Sequence, residues 1–368
     1  MEIPVLDEAL FARALVSPGL SGPLERFREK LRDREPITYG AIGGSITEGA
    51  AASDSVSTSY GAVFAAWLNN QTACTFTNAG RGATTSMFGA FRAHQEMLCH
   101  VPDIVTVEFA VNDTINPDTE ASYEALVRQC LESAKKPLVI LIFTMRRDGM
   151  NLQDQHIPIG RHYVLPMLSY RDALHPEVRS GRLAWETLSP DEVHPNDGGH
   201  AFIASLLERY IELGEAPEGE QVLPELLNAG ASRYLGGRIV DAVCMDVLEN
   251  DGWTQFDHKH DCRGWMSDRP GARLKVKVKG GKLLIGYVKY AGGFGMVAVK
   301  IDGKEVTHLD GFYDKPEIQA WAGGHTVPES LCDDAPGTER VVEITLLEQR
   351  HPKSIGHHFE LGYFLVGR

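Results

Sequence analysis

At 368 residues, with 43% hydrophobic and 23% charged residues, the chain holds enough apolar material for two well-packed domains. Its formal net charge of −14 excludes a phosphate backbone as the natural partner, because nucleic acid selects a basic face. No apolar run approaches the roughly 20 residues of a membrane span, so no membrane partner is expected. The opening MEIPVLDEALFARALVSPGL sets Glu2, Asp7 and Glu8 where an export signal needs a basic start. A cytoplasmic protein is therefore expected, with Cys74, Cys99, Cys130, Cys244, Cys262 and Cys332 as reduced thiols.

Residues 1–36 read as an N-terminal extension packing on the core that follows. From Ile37 onward, strand-like and helix-like segments alternate. ITYGAI, CTFTNA, IVTVEFAV and PLVILIFT are short, apolar and β-branched, as strands buried on both faces are. Between them YGAVFAAWLNN, SMFGAFRAHQEML and SYEALVRQCLESAKK have helical spacing, and NDGGHAFIASLLERYIEL closes the series. This order predicts an α/β domain over 37–213, a parallel sheet covered by helices on both sides. Ligands of such sheets bind at the carboxyl ends of the strands.

The stretch 214–224, acidic and broken by Pro217, Gly219 and Pro224, reads as a linker. Beyond it, ARLKVKVKGGKLLIGYV alternates around Gly280-Gly281, and MVAVKIDGKEV around Asp302-Gly303. VVEITLLE and HFELGYFLVG supply two further strands. Residues 225–368 are predicted to form an all-β sandwich.

Four stretches carry chemistry. In ITYGAIGGSITEGA, Ser45 follows Gly43-Gly44 at the end of the first parallel strand, the placement of an exposed nucleophile. In SPDEVHPNDGGH, Asp191 and His194 stand just before the last helix, so one loop offers an acid and a base. NAGRGATTS and VEFAVND follow the second and third strands. The former has glycines that free its backbone N–H groups, and the latter offers the Asn112 side chain, for a developing oxyanion. Each stretch alone is compatible with a turn or a helix cap.

Together they resemble the blocks of the SGNH hydrolases, the GDSL-type esterase superfamily, over roughly residues 37–213. GGSIT, NAGRGATTS, VEFAVND and DEVHPNDGGH correspond to the four blocks in order. The resemblance implies a flavodoxin-like three-layer α/β/α core and a Ser45-His194-Asp191 triad. It also implies an oxyanion hole from the Ser45 amide, the Gly82 or Ala83 amide and Asn112, with no metal or other cofactor. Two positions depart from the pattern: the glycine of the second block falls on Ala83, and a glycine of the third on Ala110.

GGSIT and VEFAVND further resemble the blocks of carbohydrate acetylesterases. An SGNH core followed by a jelly-roll-like sandwich is similar to the two-domain acetylmannan esterases, which implies an acetylated manno-oligosaccharide as substrate. Arg81, beside the oxyanion glycines, and Trp265 and Trp321, aromatic faces for sugar rings, are the candidate substrate contacts. Alternatives are an acetylxylan or short-chain esterase, a lysophospholipase, or a carbohydrate-binding protein with a vestigial core. A homo-oligomer remains open. DHKHDC, with His258, His260 and Cys262, reads as a polar loop, His357-His358 as a strand entry, and His200 as a packed helix residue.

Overall fold

A computed structural model describes residues 3–258, 262–314 and 325–368, and divides into units Met1–Leu235 and Gly236–Arg368. The first unit is built on strands β1 (Leu15–Pro18), β2 (Ile37–Gly43), β3 (Cys74–Gly80), β4 (Ile104–Glu108), β5 (Leu138–Phe143) and β6 (Pro166–Ser169). Their order in the sheet is β1-β6-β5-β4-β2-β3. The five strands β2 to β6 are parallel, in the flavodoxin-like sequence. β2 is therefore flanked by β3 on one side and β4 on the other, and the chain reverses its direction of travel across the sheet there. In sheets of this kind ligands bind where such a reversal occurs, which here is at the carboxyl ends of β2 and β4.

The four strands expected from β-branched runs are present, and LVILIF of β5 is buried at every residue, as a strand covered on both faces must be. Helices Tyr60–Gln71, Ser86–Glu96, Pro117–Leu131 and Asp197–Leu213 stand where helical spacing predicted them. Two other helices, Gln153–His162 and Tyr170–Arg179, escape a sequence reading because Pro158 and Pro176 lie inside them. β1 and β6 are four residues each, too short for a period to show. The N-terminal extension supplies β1, antiparallel to β6 at the sheet edge, and Leu10, Ala14, Leu24 and Phe27 to the core.

The boundary between units differs from the expected linker. Segment 214–224 lies along the first unit: Ser21 N donates to Pro217 O at 2.9 Å and Arg128 Nη1 to Pro224 O at 2.5 Å. The Glu124 carboxylate then accepts the Leu227 and Asn228 amides at 2.6 and 2.7 Å. Proline and acidic content signal irregular backbone, not freedom from packing. The β-rich unit begins at Gly236, not at residue 225.

That unit contains β7 (Arg238–Asp241), β8 (Asp246–Asp251), β9 (Thr254–Asp257), β10 (Arg263–Ser267), β11 (Arg273–Lys279) and β12 (Lys282–Lys289). It continues with β13 (Met296–Ile301), β14 (Lys304–Asp310), β15 (His325–Asp333), β16 (Glu339–Leu346) and β17 (Phe359–Val366). One antiparallel sheet runs β15-β12-β17-β10-β9, with β7 also on β17, and the other β14-β13-β16-β11-β8. Leu274, Val276, Val297, Val299 and Ile344 of the second sheet share one core with Leu283, Ile285, Tyr287, Leu361 and Phe364 of the first. This is a sandwich, and the chain changes sheet at most connections, as in jelly-roll-like folds.

The two glycine turns part company. Asp302-Gly303, with φ of 49° and 81°, is the two-residue turn of a β13–β14 hairpin. Gly280-Gly281 joins strands of opposite sheets, so no hairpin forms there. Glycine is required for close approach instead: a methyl on Gly281 would come within 2.1 Å of the Arg368 carbonyl oxygen.

Candidate active site

β2 ends at Gly43, and Gly44 opens a single helical turn, Ser45–Glu48. This tight passage from strand to helix lifts Ser45 to the carboxyl edge of the sheet, where its side chain is 9% exposed. Gly44 is demanded by close packing, since a methyl there would fall 2.5 Å from Asn112 Oδ1. Asn112 thereby lies against the nucleophile turn from the β4 side.

The loop before helix Asp197–Leu213 brings up the base. Ser45 Oγ donates to His194 Nε2 at 2.9 Å, and His194 Nδ1 donates to Asp191 Oδ2 at 2.8 Å. The other Asp191 oxygen accepts the Val193 and His194 amides, both at 2.7 Å. Ser189 Oγ reaches the His194 and Asp191 carbonyls at 2.6 and 2.9 Å, which tightens the loop. Burial acts to raise the Asp191 carboxyl, but hydrogen bonds from the His194 amide and ring and from the Val193 amide outweigh it. The carboxyl therefore stays below its ordinary value and ionised at neutral pH. An ionised Asp on Nδ1–H leaves Nε2 unprotonated toward Ser45, the tautomer a general base needs.

Two segments flank the serine and its turn. A methyl on Gly82 would sit 3.8 Å from Ser45 Cβ, so this backbone borders the nucleophile. Ala83 adopts φ of 56°, a left-handed conformation that glycine accepts more readily. Its departure from the family pattern therefore carries a conformational cost. On the other side Asn112 makes no side-chain hydrogen bond among the described residues, and its Oδ1 is buried without a partner. Asp113 Oδ1 accepts the Ser86 amide at 2.8 Å, and its Oδ2 accepts from buried His156 at 3.0 Å. The Asn112 turn is thus tied to the start of the helix that follows the Gly82-Ala83 loop.

Glu108 was not read from the sequence as a functional residue. Its side chain, at the end of β4, is wholly buried, accepting from Thr144 Oγ1 at 2.6 Å and Thr47 Oγ1 at 3.3 Å. Burial pushes the carboxyl up to about 7, against the pull of those hydroxyls. The available signal was a charged residue inside an apolar strand run. His200, as expected, packs in the first turn of its helix, where the Tyr60 amide donates to its Nδ1 at 3.2 Å.

The candidate substrate contacts fare differently. Arg81 is engaged by Glu96 at 3.2 Å and lies over the Phe88 ring at 5.5 Å, so its guanidinium braces the loop. Trp265, 9% exposed, belongs to the sandwich core and donates to the Ala242 carbonyl at 3.1 Å. Its place in β10 turns it inward, which corrects the expectation of a sugar platform. Trp321 and His260 lie outside the described residues. His258 bonds Glu360 at 2.7 Å, and Glu360 also holds His358 at the entry to β17. Among the described residues no cluster of His, Cys, Asp and Glu is disposed to hold a metal, and no helix is long and apolar enough to cross a membrane.

Residues 41–202 match the model of the GDSL-like Lipase/Acylhydrolase family. The first unit carries a GDSL-type hydrolase domain. The GDSL-type domain and the sandwich together are similar to the crystal structure of a two-domain esterase active on acetylated mannans, with a TM-score of 0.84 and 26% identity. That similarity covers 97% of this chain and 98% of the other. The same TM-score and identity hold for such an esterase co-crystallised with mannopentaose, covering 97% of each chain. Among curated proteins none matches.

Proposed function

We propose that this GDSL-type protein is a serine esterase that removes O-acetyl groups from carbohydrate, with acetylated manno-oligosaccharides as its substrates. The observation that carries the reading is the chain of hydrogen bonds from Ser45 through His194 to Asp191 at the switch point of the sheet. The similarity to an esterase active on acetylated mannans, extending over the sandwich as well as the hydrolase domain, supports the choice of glycan.

In this reading His194 Nε2 takes the Ser45 proton as Oγ attacks the acetyl carbonyl. Asp191 keeps the ring oriented and stabilises the imidazolium that forms. Negative charge on the carbonyl oxygen is met by the Ser45 amide, the amide of Gly82 or Ala83 and the Asn112 side chain. The tetrahedral intermediate collapses, His194 gives its proton to the departing sugar hydroxyl, and Ser45 is left acetylated. Water, deprotonated by His194, then attacks the acetyl group and releases acetate, returning the proton to Ser45. The side chains named suffice for each proton transfer.

Acetate release from acetylated mannan, acetylated xylan and an aryl acetate, by wild type and by Ser45→Ala, tests the proposal. Release from mannan that vanishes in the variant is the expected result. Hydrolysis of the aryl ester alone would keep the esterase and discard the glycan. No turnover of any ester by the wild type would discard both.

A further inference from the structure

We propose that Arg92 is a positioning residue of the oxyanion site, holding the Gly82-Ala83 loop in register with the Ser45 turn; this rests on the esterase reading above. Arg92 lies in helix Ser86–Glu96 and its side chain is wholly buried. Nη2 donates to the Gly43 carbonyl at 2.8 Å, Nη1 to the Ala79 carbonyl at 2.5 Å and to Glu96 Oε2 at 2.8 Å. Gly43 is the last residue of β2, immediately before the nucleophile turn, and Ala79 stands near the end of β3, before the Gly82-Ala83 loop. One planar guanidinium thus spans the ends of the two strands that lead into the Ser45 turn and the Gly82-Ala83 loop.

The surrounding bonds extend the tie. The Gly43 carbonyl also accepts the Arg81 amide at 3.1 Å, and Glu96 holds the Arg81 guanidinium at 3.2 Å. Arg81, the neighbour of Gly82, is therefore fixed through backbone and side chain to groups that Arg92 also binds. On the opposite face of the same turn, the Gly44 amide donates to the Glu108 carbonyl at 3.2 Å. The orientation of the Gly43–Gly44 peptide is consequently held from both of its ends.

A buried guanidinium is costly to desolvate, and Arg92 Nε is left without a partner. An apolar side chain would fill the same space at lower cost. What the arginine supplies is a rigid fork that fixes two carbonyls at a set spacing, which neither lysine nor an apolar residue reproduces. An oxyanion site depends on donor placement to a fraction of an ångström, so this fixing is felt in the transition state and hardly in substrate binding.

The test uses the full chain, as wild type, Arg92→Lys and Arg92→Met, with an aryl acetate as substrate. A small arylboronic acid, which forms a tetrahedral adduct on the serine, serves as the transition-state analogue. Both variants are expected to lose about tenfold or more in kcat, with KM moving less than about threefold, and to bind the boronate more weakly by a matching factor. Folded variants, judged by circular dichroism, that keep kcat and boronate affinity would reduce Arg92 to a packing role. Should Arg92→Met fail to fold, Arg92→Lys decides by the same readouts, because it keeps the charge and most of the length but loses the fork. Wild-type protein inert to both reagents would remove the esterase reading itself, which is distinguishable from wild-type activity that survives Arg92→Lys.

Discussion

At the scale of single residues, the site separates groups by their electrostatic surroundings. Asp191 is kept ionised by the amides and ring of its own loop, and in the proposed reading it orients His194 and stabilises the imidazolium. Asp191→Asn preserves the shape but offers an NH₂ in place of an acceptor oxygen, so kcat on an aryl acetate is expected to fall about 10³–10⁴-fold. Asn112→Ala removes the side-chain amide proposed as an oxyanion donor and is expected to cost about 10²–10³ in kcat with little change in KM. A change in KM alone would place Asn112 in ground-state binding instead.

Glu108 behaves in the opposite sense, since burial pushes its carboxyl up to about 7 from an ordinary value of 4.5. Between those values the folded chain holds a proton that the unfolded chain has released, so this group makes the protein less stable as pH rises across the interval. Glu108→Gln mimics the neutral carboxyl. Its melting temperature should decline less than that of wild type from about pH 5 to about pH 8. Parallel curves for the two proteins would refute the assignment.

At the scale of elements, the turns reveal which sequence signals were local. Asp302-Gly303 adopts positive φ at both positions, and nothing beyond the two flanking strands is needed to explain it. Gly280-Gly281 had the same appearance in the sequence but serves a crossing between sheets, a matter of distant packing against Gly367 and Arg368. The Gly82-Ala83 loop shows the converse, a strained conformation borne by an alanine. Ala83→Gly should stabilise the protein by about 0.5–1 kcal/mol without loss of activity, checked by urea denaturation and aryl acetate turnover. The helices containing Pro158 and Pro176 were hidden because proline is read locally as a helix end, whereas packing against the sheet sustains them.

At the scale of the whole molecule, the two units answer pH by different groups. In the sandwich, Glu360 and Asp268 hold the two ring nitrogens of His358, while His258 shares the Glu360 carboxylate. Hydrogen bonding to Glu360 raises His358 above its ordinary value, against the effect of burial. Burial acts to raise Glu360, but the hydrogen bonds from His358 and His258 leave it lowered. The His358 contribution is complete below the ordinary histidine value and is lost as pH rises through the raised one. The Glu360 contribution is complete above the ordinary carboxylate value and is lost as pH falls through the lowered one. Stability from this pair is therefore greatest in the mildly acidic window between the two. His358→Gln should narrow the difference in melting temperature between about pH 6 and about pH 8, and an unaltered difference would show that the pair contributes nothing.

The sequence by itself determined the alternation that makes a parallel sheet, the two-unit plan, and the Ser45, Asn112, Asp191 and His194 constellation. These rest on local periodicity and on residue types whose chemistry needs them at strand ends, so they survive without coordinates. Only the tertiary structure decided that 214–224 straps the first unit, that Trp265 faces the sandwich core, and that Arg81 is held by Glu96. Only there do Glu108 and Arg92 become ionisable groups buried beneath the Ser45 turn. The physical reason is common to all of them: a proline, a tryptophan or an arginine looks the same in sequence whether it meets solvent or packing. Which it meets is set by contacts between segments far apart in the chain.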